Sequence, residues 1–496
     1  MRDRVTPARL AEATGIAVLV LGFIALLWLD AANGTLRDDV VPRTVGWFVV
    51  AFVGFGLVML VQQSRGRRAA ARIGWPALVA LGLVLRLVLL ATEPTLSDDV
   101  YRYLWEGHLV TEGVSPYAFT IDDPAGEAYT IEARDLANNR SLASPYLPVA
   151  HGIFGVAAFL LPSEPWVMQL VMIAFDSVAM AMIVRLLAIA GLPRERSLLY
   201  WLNPLVIVEV AHGAHLDALI LGFGLAGVAA TLRCNDRCQA PGVTDWRSLS
   251  GPVLLALATL TRPLAVLFLP VLFWRWTWPQ RLAYAVTTIA PVAIAGAWVG
   301  LGVGDDGTGV FGSARAYTET FRFNSAIYQW LEGWIGGRGL DDRGWNEPVM
   351  LTQLIIFGLV GVAMLVVFIR SRSADVPRSI LRWMSIPLMI YVVFTPVLHP
   401  WYVLLLLALA PFLAPSDDEQ PWRWVQVAPW IVMSCLLIFS YLTYENPEAF
   451  AEREWVRWLE WFPTLGLLAI SIVVSRSRQL RVQVDDLHTD THGDKG

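Results

Sequence analysis

Apolar residues run in long blocks along nearly the whole chain, with polar residues gathered between them. The blocks cover residues 13–29, 45–61, 73–91, 166–188, 197–211, 216–232, 282–301, 349–369, 383–398, 402–414, 425–441 and 462–474. Most approach the roughly 20 residues that a helix needs to cross the hydrocarbon core. They predict an all-α integral membrane protein, a polytopic helical bundle of about 12–14 spans, since a helix satisfies its own backbone in lipid. Two apolar stretches break the pattern. Residues 146–161 are short and bounded by prolines, which reads as a re-entrant or interfacial helix. Residues 251–274 carry Thr261-Arg262-Pro263 at their middle. Proline breaks a helix and arginine is costly at that depth, so this stretch predicts two short helices in a hairpin.

The arginines set the sides, because basic loops stay cytoplasmic. Arg2, Arg4 and Arg9 precede the first block, and Arg65, Arg67, Arg68 and Arg72 follow the second. The third block then exits outward and leaves residues 92–145 outside. With 146–161 re-entrant, Arg185, Arg194, Arg196, Arg233, Arg237 and Arg247 all fall inside. Both termini are then cytoplasmic, in a multi-pass protein of the plasma (inner) membrane. Four polar segments converge on the extracytoplasmic surface: the segment after residue 92, residues 212–217, the long loop 302–348 and the turn His399-Pro400-Trp401-Tyr402.

Composition agrees with this reading. The chain of 496 residues is 56% apolar and 16% charged, against about a quarter charged in soluble domains. Lys495 is the only lysine, and no basic stripe interleaved with aromatics marks a nucleic-acid surface. Cys234, Cys238 and Cys435 form no disulfide framework or recognisable metal pattern. The first apolar run is full length and lacks a small-residue cleavage site, so no signal peptide is expected. The tail 476–496 is polar and aperiodic, and reads as disordered and cytoplasmic.

The densest polar cluster is Ser97-Asp98-Asp99-Val100-Tyr101-Arg102-Tyr103-Leu104-Trp105-Glu106-Gly107. Ser97 and one aspartate would suffice to cap a helix. A second aspartate exceeds that need, and a carboxylate here could act as general base on an acceptor hydroxyl. The aromatics suit an amphipathic helix at the interface. Arg86 sits in the outer half of the third block, placed either to snorkel or to hold an anionic headgroup. Arg262, at a helix break, suits bidentate binding of phosphate. Glu209, His212, His215 and Asp217 flank a turn. Such groups could ligate a metal, but more often they satisfy one another or bind sugar, so no metal or other cofactor is assigned. Arg322 and Asn324, beside Tyr317, Tyr328 and Trp330, suit carbohydrate. His399 and Tyr402 belong to the outer turn and could serve a phosphate.

These residues together resemble bacterial GT-C class glycosyltransferases that use polyprenyl-phosphate sugars, especially the polytopic mannosyltransferases. The resemblance rests on Arg86, the run Asp98 to Gly107, Ser115-Pro116-Tyr117, Asn203-Pro204-Leu205, His215-Leu216-Asp217, Arg262-Pro263 and the turn from Pro396 to Tyr402. It spans roughly residues 84–413, leaving residues 1–72 as two additional spans and 73–475 as the GT-C-like domain. Ser115 stands where asparagine is usual, Leu147 follows Tyr146 where proline is usual, and Arg262 replaces the common lysine. The resemblance implies inverting transfer of a hexose, with mannose the family's sugar, from a polyprenyl-phosphate donor to a glycolipid or glycan acceptor. It implies Asp99 as base, Asp98 holding the acceptor or orienting Asp99, and Arg86, Arg102, Tyr103, Arg262, His215, Asp217, His399 and Tyr402 as substrate-binding residues, to which the residue pattern itself adds Arg322 and Asn324. The competing expectation is a transporter or flippase of a lipid-linked or anionic substrate, since broken helices and intramembrane arginines also occur there.

Overall fold

The structure, a computed structural model, describes residues 7–62, 73–161, 163–237, 246–301, 308–313, 317, 321–336, 347–414, 426–446 and 452–492. It is all-helical among these residues, apart from one isolated parallel bridge between Phe323 and Val397. Seven helices among the described residues are long and apolar enough to cross a membrane: Pro7–Asn33, Asp38–Gln62, Pro165–Ile189, Trp278–Val299, Val349–Ser371, Ala428–Glu445 and Glu454–Val474. The chain is a polytopic helical membrane protein.

The long spans are fewer than the apolar blocks because helix breakers divide several of them. The block 197–211, read as one span, is two short helices, Leu198–Trp201 and Pro204–Ala211. Asn203 ends the first and caps the second, its side chain accepting from the Leu205 amide, while Pro204 takes the first helical position. The stretch 251–274 breaks at Arg262-Pro263 as expected, into Ser250–Thr259 and a 3-10 segment Pro263–Phe268. The last helix runs Glu454–His492, so the assignment stays helical well into the segment read as a disordered tail.

Several charged and polar groups inside the bundle are paired. Arg86 neither snorkels nor faces a headgroup. It is fully buried, 2.6 Å from Asp176, donates to the carbonyls of Gly82 and Trp201, and lies 3.7 Å over the Trp201 ring. The Tyr200 hydroxyl donates to the other Asp176 oxygen. Removing one member of such a pair typically costs about 3–5 kcal/mol. Glu12 and Gln62 bond each other between the first two spans.

The helix Asp99–Thr111 is well buried within the protein, with Tyr103 and Trp105 1% exposed. The cause is close packing on Pro148–Leu160. Phe154 stacks on Tyr103 at 4.6 Å, and a Cβ on Gly107 would lie 2.3 Å from the Phe154 carbonyl oxygen. Only glycine permits that approach. Gly107→Val is therefore expected to destabilise the protein by about 1–3 kcal/mol through overpacking. Thermal unfolding in detergent checks this, and an unchanged midpoint would refute the packing account.

Candidate functional site

The site forms where the N-terminus of Asp99–Thr111 meets three other segments. Asp98 occupies the cap position but makes no capping bond; its carboxylate turns to Arg37, 2.7 Å away. Arg37 lies in the connection between the first two spans, and no motif around it marked it beforehand. Ser97 does accept weakly from the Asp99 amide, at 3.3 Å. Asp99 is about one-fifth exposed. One of its oxygens accepts from the Asn138 side chain at 2.7 Å, and the other lies 3.8 Å from His215 Nδ1.

Arg102 takes a different role from the one expected. Its Nε donates to Glu106, and its terminal nitrogens donate to the carbonyls of Asn138, Asn139, Leu142 and Ala143. A guanidinium has five N–H donors, so none remains for a substrate. Arg102 positions the loop that delivers Asn138 to Asp99. Ser144 Oγ donates to Glu106 and also meets His151 Nε2, each at 2.7 Å. Burial alone would raise the Glu106 carboxyl, but Arg102, His151 and Ser144 outweigh it and hold its pKa below the ordinary value. Tyr103 packs between Tyr146 and Phe154 as part of the same support.

His215 lies in a column of rings. It stacks on Trp401 at 3.7 Å, Trp401 stacks on His399 at 4.4 Å, and His399 stacks on Phe323 at 4.8 Å. The column joins the His215-Leu216-Asp217 turn, the turn at residues 399–402 and the 321–336 segment. The last two are also joined by backbone bonds, from Phe323 N to the Pro396 carbonyl and from Leu398 N to the Phe323 carbonyl. Beyond His215, Glu209 Oε2 lies 3.2 Å from Nε2, and the Tyr441 hydroxyl donates to Glu209 Oε1.

Arg262 lies over the Tyr402 ring at 4.2 Å and 3.5 Å from Asp217 Oδ2, with its side chain 21% exposed. Tyr402 shares a hydroxyl hydrogen bond with Tyr317. The amides of Leu147 and Val149 donate to the carbonyls of Thr261 and Leu260, which ties the end of the first loop to this helix break.

The remaining candidates are engaged elsewhere. Arg86 belongs to the buried pair with Asp176. Arg322 pairs with Glu332 at 3.1 Å, and the Asn324 side chain donates to Glu460. His212 does not join His215 as a ligand pair, because its ring bonds Thr92 Oγ1 and the Leu96 amide. Among the described residues no group of three or more His, Cys, Asp or Glu is placed to hold a metal ion. Asn138, Arg37, Glu209 and Trp401 join the site without having been assigned to it. Their neighbours in sequence offered a signal only for Glu209 and Trp401.

A polytopic membrane protein with a partly exposed carboxylate, a buried imidazole and an arginine at the mouth of its bundle has the parts of a membrane group-transfer enzyme. Residues 9–278 match the family described as alpha-(1->6)-mannopyranosyltransferase, N-terminal domain, and the chain belongs to this family. It is a membrane mannosyltransferase, which sets aside the transporter reading. Alpha-(1->6)-mannopyranosyltransferase A of Mycobacterium tuberculosis is 26% identical over 491 residues, covering 86% of this chain and 85% of that protein. Alpha-(1->6)-mannopyranosyltransferase B of Corynebacterium glutamicum is 25% identical over 406 residues, covering 73% and 62%. No solved structure matches the chain. The family match takes in the first two spans, which the motif resemblance had left outside; the Arg37–Asp98 pair gives them a physical tie to the site.

The pair has a pH consequence. Burial raises the Asp98 pKa above its ordinary 3.8, Arg37 pulls it down, and Asp99 pushes it up again. Between the unfolded and the raised folded value, the native state holds more protons than the unfolded chain, so stability falls as pH rises through that window. Arg37→Gln removes the opposing cation and widens it. The variant is expected to lose more thermal stability near neutral pH than in mild acid, and Asp98→Asn on top should restore most of it. A loss independent of pH would refute this account.

Proposed function

We propose that this mannosyltransferase takes mannose from a polyprenyl-phosphate donor and transfers it, with inversion, to a hydroxyl of a glycan or glycolipid on the extracytoplasmic face. The observation that carries the reading is Asp99: a partly exposed carboxylate, oriented by Asn138 and backed by His215. The acceptor hydroxyl gives its proton to Asp99 Oδ2 as its oxygen bonds to the anomeric carbon. The bond from that carbon to the phosphate oxygen breaks, and polyprenyl phosphate leaves with the electron pair. The leaving phosphate needs charge stabilisation more than protonation, and Arg262 is the exposed guanidinium suited to provide it. His215, between Asp99 and Glu209, offers the proton its next position. Asp98 serves Asp99 indirectly, through its pairing with Arg37. The arginine distribution supports the outer face as the side of reaction.

Asp99→Asn is expected to lower turnover by about 10²–10⁴-fold, the usual worth of a general base. Labelled polyprenyl-phosphate mannose and protein in lipid vesicles provide the assay. His215→Gln should give a smaller loss. Wild-type turnover by Asp99→Asn would remove this residue from the mechanism.

A further inference from the structure

A second polar and aromatic feature lies apart from Asp99. A cavity of about 340 Å³ opens between the helix Ile327–Gly336 and the start of Glu454–His492, lined by Gln329, Trp330, Trp334, Glu454, Arg457 and Trp458. Its size falls at the lower end of ordinary ligand pockets, roughly 300–1,000 Å³. Trp330 is 60% exposed and Trp334 47%. Beside them the polar groups bond one another across the two helices, with Glu454 itself 74% exposed. Arg457 Nη1 donates to Gln329 Oε1 at 3.0 Å, Gln329 Nε2 donates to Glu452 at 3.0 Å, and Trp458 Nε1 donates to Glu454 at 3.3 Å. Arg457 also lies 3.6 Å from Glu452 and from Glu454.

We propose that this groove is a glycan-binding subsite, distinct from the catalytic cleft, that holds sugars of the acceptor chain remote from the reacting hydroxyl. Pyranose rings present apolar C–H faces and a rim of hydroxyls. Indole faces match the first, and the Arg457 guanidinium and the exposed Glu454 carboxylate match the second. Tryptophans that only anchor a helix at the membrane interface need no such network between two helices. The groove is also mechanically continuous with the site. Gln329 exchanges bonds with Ser325, in which its Oε1 accepts from the Ser325 amide and its own amide donates to Ser325 Oγ. Asn324 is held by Glu460 and by the Trp461 indole N–H, and Phe323 stacks on His399. One segment thus carries the groove at one end and the catalytic turn at the other.

The inference rests on the acceptor being a glycan, and its test separates the two. Isothermal titration of α-(1→6)-linked mannotetraose into detergent-solubilised Asp99→Asn protein reads binding without turnover. Heat of binding that disappears in Asp99→Asn with Trp330→Ala, and returns with Trp330→Phe, is the expected result. In the active protein, Trp330→Ala and Arg457→Gln should raise KM at least several-fold for long oligomannoside acceptors, leaving kcat and the KM for mannobiose unchanged. Unaltered tetraose binding in Trp330→Ala protein that unfolds at the wild-type temperature would overturn the proposal. Equal losses with short and long acceptors would do the same, and would make the tryptophans membrane anchors. Failure of Asp99→Asn to affect turnover would overturn the catalytic reading alone.

Discussion

An ionised side chain taken out of water costs several kcal/mol unless a partner and hydrogen bonds replace the water it loses. That constraint organises this bundle. Several deep polar and charged groups meet a counterpart on another segment, Glu12 with Gln62, Arg86 with Asp176 and Tyr200, Asn324 with Glu460, while Arg102 pairs with Glu106 one turn along the same helix. Because apolar side chains are as content in lipid as against one another, these polar contacts and close small-residue approaches are what specify which helices pair. The first two spans illustrate it. Their internal bond joins them to each other, and Arg37 joins them to the site through Asp98.

The same constraint separates support from chemistry at the site. Arg102 lies on the most recognisable motif of the chain, yet its donors are all spent on one carboxylate and four carbonyls. A residue so fully used cannot also grip a substrate. Its value lies in rigidity, since a base must hold its geometry to be effective. Arg262 differs. It has one long contact to Asp217, a tyrosine face beneath it and part of its surface open. Two arginines in similarly conspicuous motifs therefore divide into one that builds and one that can bind.

Much of the architecture could be read from the chain. Long apolar runs located the long spans, and Arg262-Pro263 announced its break. The division at Asn203-Pro204 was less legible, because hydropathy continues smoothly through a capped break inside protein. Motif reading pointed to Asp99, His215, Asp217, Arg262, His399 and Tyr402, which the fold brings into one neighbourhood. It could not find Asn138 or Arg37, because each acts through a contact between distant segments and neither stands in a distinctive run. The internal partners of Arg86, Arg322 and Asn324 were not legible for a related reason. A sequence shows that a polar side chain is costly where it sits, but not whether the partner that offsets it comes from the substrate or from the next helix.

Where pairing fails is as informative as where it succeeds. Glu209 Oε2, both nitrogens of His215, Asp217 Oδ1 and His399 Nδ1 are buried without a well-formed hydrogen bond. Such atoms cost about 1–3 kcal/mol each when nothing satisfies them, and here they lie close to the partly exposed Asp99 carboxylate. His215 faces Asp99 on one side and Glu209 on the other, at distances too long or too poorly aligned for full bonds. Ring stacking on Trp401 positions the imidazole without occupying either of its nitrogens. The stacking column therefore does for His215 what hydrogen bonds do for Arg102: it fixes the side chain while leaving its polar atoms available.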